Sequence, residues 1–83
     1  MYTQCKYVVL AQEKDEIVKE NIYIFPSLVV HKTVAKRMRG KVVGAGFIAR
    51  DKGTGKLFCR GESDSLQVKS RPEDTILLRS LFL

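Results

Sequence analysis

His31 is the only histidine, and Cys5 and Cys59 are the only thiols, so this chain has little equipment for metal or nucleophilic chemistry. One imidazole cannot build a two-histidine metal centre, and the thiols lack the CxxC spacing that zinc sites use. Neither a metal nor a cofactor is expected. A Cys59–His31 nucleophile pair would need the fold to bring the two side chains together. Cys59 sits between Phe58 and Arg60 in a strand-like run, the ordinary setting of a buried structural thiol. Two glycine-rich fragments invite a phosphate-loop reading and fail it. Gly44-Ala45-Gly46 lacks the third glycine and the following helix of a dinucleotide fingerprint. Gly53-Thr54-Gly55-Lys56 lacks the upstream glycine and the hydroxyl residue after the lysine. The expectation is a protein that binds rather than catalyses.

The candidate binding residues are polar. His31 precedes a basic segment, Arg60 ends a strand, and Glu62, Ser63, Asp64 and Ser65 follow at once. Ser70 and Arg71 then open a helix. Hydroxyls, guanidiniums and helix N-termini are the groups that hold phosphate, so His31, Arg60, Glu62, Ser63, Ser65, Ser70 and Arg71 form a candidate site for an anionic, nucleotide-like ligand. The plainer alternative is a polar loop followed by a helix cap.

Charge adds a second candidate surface. Fifteen Lys and Arg against nine Asp and Glu give +6 at pH 7. Positions 31–41 hold Lys32, Lys36, Arg37, Arg39 and Lys41 with no acid among them, whereas the first twenty residues are slightly acidic. A focused basic face attracts polyanions, whether nucleic acid or an acidic protein surface. Stacking on RNA would need exposed strand aromatics. Tyr7, Tyr23, Phe25, Phe47 and Phe58 fall on the expected strands, but so small a chain needs most of its seven aromatics for a core.

The elements that position these residues read in order. Lys6 to Ala11 and Ile22 to Phe25 are short β-branched and aromatic runs, read as two strands around a long charged loop at Glu13 to Glu20. Val30, Val34 and Met38 recur at helical spacing opposite Lys32, Lys36 and Arg39, and Gly40 follows as a left-handed cap. Val42 to Ala49 and Lys56 to Arg60 are strands joined by the turn-forming Asp51-Lys52-Gly53-Thr54-Gly55. Gly44 and Gly46, two apart, strip one face of their strand, as close packing of a helix requires. Ser70-Arg71-Pro72-Glu73 matches a capping box ahead of a helix carrying Ile76, Leu77 and Leu81. The predicted order is β-β-α-β-β-α. It implies an α+β fold with a four-stranded, mainly antiparallel sheet and both helices on one face.

Eighty-three residues allow a single domain (1–83) with a thin stability margin. The apolar tail Leu81-Phe82-Leu83 and that margin point to a homo-oligomer. No apolar run is long enough for a membrane helix, and no secretory leader is read at the start. A cytoplasmic location with reduced thiols is expected.

Ile24-Phe25-Pro26 with His31, Val42-Val43-Gly44-Ala45-Gly46-Phe47, Cys59-Arg60-Gly61-Glu62-Ser63-Asp64-Ser65-Leu66 and Ser70-Arg71-Pro72-Glu73-Asp74 together resemble a family of small bacteriophage and prophage proteins without an established activity. The resemblance runs from about residue 22 to residue 78, leaving Glu13–Glu20 outside it. It implies a bacterial host cell and a phage accessory task such as counter-defence. Three functions follow as expectations: an oligomer sequestering an anionic nucleotide-like ligand, an inhibitor docking its basic face on a host protein complex, or a nucleic-acid-binding regulator.

Overall fold

The first two strands, β1 (Cys5–Lys14) and β2 (Ile17–Pro26), form one uninterrupted ten-residue hairpin in the computed structural model, which describes residues 5–38 and 40–81. Only Asp15 and Glu16 connect them, both at positive φ (54° and 64°), the signature of a type I′ turn. The long charged loop expected over Glu13–Glu20 is therefore a correction: these residues are ladder and turn. The charged side chains had masked a strand, because an arm projecting into solvent needs no apolar alternation.

Helix α1 (His31–Arg37) lies where the apolar spacing put it, starting after Val30 and ending at an extended Met38. Gly40 sits two residues beyond that cap and does not form it, and Arg39 lies outside the described residues. Strands β3 (Lys41–Arg50) and β4 (Leu57–Arg60) form the expected second hairpin. Asp51 closes its turn by accepting the Gly53 and Thr54 N–H groups at 2.7 and 3.3 Å. A short hairpin, β5 (Glu62–Ser63) with β6 (Val68–Lys69), was not expected from the sequence. Helix α2 (Pro72–Ser80) closes the described chain.

The four long strands make an antiparallel sheet in the order β2-β1-β3-β4, confirming the α+β architecture and the four-stranded sheet with two helices. The helices, however, cover opposite faces rather than one. Adjacent residues of a strand point to opposite sides, and β1 shows which helix each side meets. Val8 packs with Phe25, Ala45 and Val34 of α1, and β6 adds Val68 to that layer. Tyr7 reaches the other way, to Asp74 of α2. Both central β1 faces must be covered, since Tyr7, Val8, Val9 and Leu10 are all buried, and one layer of helices cannot do that. No helix among the described residues is long and apolar enough to cross a membrane.

On α2 the face turned to the sheet is Asp74 and Leu78, one turn apart, while Ile76 is 70% exposed. The helix begins one residue later than the Ser70 capping box implied. Arg71 is the cap residue, and the carboxylate that accepts its N–H is Asp74.

The turn yields a prediction. A non-glycine residue at positive φ costs about 1–2 kcal/mol, so Glu16→Gly should stabilise the protein by about 1 kcal/mol, with Asp15→Asn adding to it. Urea unfolding measures this; a midpoint that stays or falls would contradict the turn assignment.

Candidate functional site

Asp74 is fully buried, yet none of its oxygen capacity is wasted. Oδ2 accepts the Tyr7 hydroxyl at 2.7 Å and the Arg71 N–H at 3.0 Å. Oδ1 accepts Nε and Nη2 of Arg71 at 2.9 and 2.7 Å. The Arg71 guanidinium continues outward to Glu20 of β2 at 2.7 Å. Its bond to Glu20 raises the Arg71 pKa, burial opposes this, and Asp74 adds to the rise. Tyr7 is likewise pushed upward, chiefly by burial and then by its bond to Asp74. The chain Glu20–Arg71–Asp74–Tyr7 runs from the surface into the core, with its charges paired by fork geometry.

Gly44 lies directly beneath this carboxylate: a Cβ there would collide with both Asp74 oxygens. That is the close helix approach the glycine pair suggested. Gly46 answers a different neighbour, because a Cβ on it would strike the Arg60 carbonyl.

The predicted polar constellation is divided by the sheet. Arg71 belongs to the α2 face and is held by Glu20 and Asp74. His31 belongs to the α1 face, where it is 4% exposed, bonds through Nε2 to the Gly46 carbonyl at 2.9 Å, and meets Phe25 and Phe47 edge-on. Burial lowers its pKa; the Gly46 bond works against this and the Lys6 charge adds to the lowering. A cleft of about 240 Å³ beside it gathers Lys6, Phe47, Glu62, Asp64 and Ser65 with His31 and Val30. Three predicted residues, His31, Glu62 and Ser65, therefore come together. Ser63 is buried and caps its own turn, accepting the Leu66 N–H at 3.3 Å. The Ser70 backbone N–H is bound to the Gly61 carbonyl, and Arg60 is exposed at the end of β4.

Lys6 and Phe47 were not foreseen as lining residues, although both lie on predicted strands; only strand register could place them beside His31. The cleft is smaller than the roughly 300–1,000 Å³ of typical ligand pockets. Its two carboxylates outnumber Lys6, whose ammonium already donates to the Val29 carbonyl at 3.2 Å. A wider depression of about 430 Å³ at the β3–β4 turn is bordered by Arg50, Asp51, Lys52 and Gly55.

Cys59 lies on the α2 face, its thiol near the Tyr7 hydroxyl, and burial pushes its pKa up to about 11. The sheet separates it from His31, so the two form no nucleophile–base pair. Among the described residues no three His, Cys, Asp or Glu side chains cluster as metal ligands.

The basic face is intact where it is described. Lys32, Lys36 and Arg37 of α1 are exposed, as is Lys41 at the start of β3. The ion pairs found among the described residues all belong to Arg71. Exposed Leu28 (91%) and Val30 (49%) adjoin the N-terminus of α1. Comparison with known proteins finds no matching family model, no matching curated protein and no matching solved structure.

The shifted groups set the pH limits of stability. His31 is held neutral, so its contribution is complete above 6.5 and is lost as pH falls below that value. The Cys59 thiol is favoured protonated, so its contribution is complete below 9.0 and is lost as pH rises towards 11. Urea midpoints should fall on both sides, with His31→Gln flattening the acid limb and Cys59→Ser the alkaline one. Limbs unchanged in these variants would show that other groups control them.

Proposed function

We propose that this chain is a non-enzymatic, self-associating binding protein of phage accessory type that docks its α1 basic face on an acidic surface of a host protein. The observation carrying this reading is the set of exposed cations Lys32, Lys36 and Arg37 on α1, with Lys41 exposed at the start of β3, bound to no carboxylate among the described residues, and with exposed Leu28 and Val30 just before the helix. Apolar anchors beside arginine and lysine suit a protein interface, where a few desolvated side chains supply most of the affinity and the charges steer association.

Two features favour this over the other readings. An anionic nucleotide would meet Glu62 and Asp64 in a cleft too small for it, with Arg71 engaged on the opposite face. A reader of single-stranded nucleic acid would need stacking aromatics, yet Tyr7 and Phe25 are buried and Phe47 packs against His31. On the phage-type resemblance the partner would belong to a bacterial host, and blocking it would be the task.

The test is co-purification from bacterial cells of the native chain and of the triple variant Lys32→Glu, Lys36→Glu, Arg37→Glu. The native chain should retain an acidic protein that moderate salt releases, and the variant should lose it by at least tenfold. Equal recovery by both would refute the docking face. Binding of a random-sequence duplex with log K falling linearly in log salt would favour the nucleic-acid reading instead.

A further inference from the structure

Strand β2 is an edge of the sheet, with β1 its only strand neighbour among the described residues, and its ten residues present a long outer ladder. The opposite edge, β4, is only four residues long, a length that protects an edge by offering little to pair with. β2 has no such protection. It also carries Ile17, Val18 and Ile24, three of the seven large apolar side chains exposed among the described residues.

The hairpin register identifies the free backbone groups. In a two-residue hairpin the flanking pair, here Lys14 and Ile17, exchanges hydrogen bonds, and bonding then alternates along the ladder. The N–H and C=O groups of Val18, Glu20, Ile22 and Ile24 consequently point away from β1. These four residues are symmetric about Asn21. An antiparallel copy of β2 centred on Asn21 sets Val18 against Ile24 and Glu20 against Ile22, so every outward group finds a partner. Shifting the centre to Ile22 would set Val18 against Pro26, which has no N–H, and shifting it to Glu20 would set that carboxylate against itself. In the Asn21 register the two Glu20 side chains are only diagonal neighbours, and each is already paired with its own Arg71.

We infer that two copies of this chain join edge to edge through β2, antiparallel and centred on Asn21, to form a continuous eight-stranded sheet. Self-association is part of the function proposed above; the location and register of the interface are new, and do not depend on what the α1 face binds.

Sedimentation equilibrium across a concentration series is the test, on the native chain and on Val18→Lys with Ile24→Lys. Both positions are exposed, so the variant should keep the native circular dichroism spectrum. The native chain should have twice its 9.4 kDa mass, and the variant the single mass. Under mild oxidation Asn21→Cys should give a covalent dimer, because facing residues of a non-bonded pair lie about 4.5 Å apart, within disulfide range. Lys19→Cys should not. A native monomer at every concentration overturns both the self-association and this interface. A native dimer insensitive to the lysine pair overturns the β2 interface alone, and equal cross-linking at 19 and 21 overturns the register.

Discussion

A buried carboxylate needs its charge answered from every side, and Asp74 obtains this only where β1, β3 and the start of α2 meet. Tyr7 supplies a hydroxyl, and Arg71 supplies a backbone N–H and a guanidinium fork. Gly44 supplies the space. Removing one member of such a set strands the rest without water, at a cost of about 3–5 kcal/mol for a broken buried pair. The network thereby fixes the height of α2 above the sheet and, through Glu20, its rotation relative to β2. In a chain of 83 residues, such a polar clamp adds definition to what the apolar core supplies.

The clamp also divides the molecule by task. Everything it holds lies on the α2 face, leaving the α1 face for His31, the β5–β6 hairpin and the basic row. His31 is packed between two phenylalanines and tied to the Gly46 carbonyl, so it anchors α1 rather than presenting a ring to a ligand. In the docking role proposed above, cations carried on a packed helix would lose little conformational entropy on binding.

Much of the fold was legible because the signals were local. Asp51 through Gly55 declared the β3–β4 turn, Val30, Val34 and Met38 declared α1, and the Gly44–Gly46 spacing announced a close approach. The illegible parts depended on what lies across the sheet. Charged Glu13 through Glu20 looked like a loop because both faces of the projecting arm meet solvent, which removes the alternation that marks a strand. Ile76, Leu77 and Leu81 marked α2 by their spacing, yet the residues turned to the sheet are Asp74 and Leu78, because the helix is rotated by the demand of Asp74 for partners. The polar constellation failed as a group for the same reason: His31 and Arg71 lie on opposite sides of a sheet whose sidedness turns on the single-residue step from Tyr7 to Val8.

The central claim is that Asp74 is pinned above Gly44 and that this contact sets the helix on the sheet. A double-mutant cycle between Gly44→Ala and Asp74→Ala tests it most directly, since alanine removes both oxygens and the Cγ that a Cβ at position 44 would meet. Urea unfolding should show Gly44→Ala costing about 2–4 kcal/mol in the native background and less than about 0.5 kcal/mol beside Ala at position 74. An equal loss in both backgrounds would mean that Gly44 is required for some reason other than Asp74, and would contradict the account.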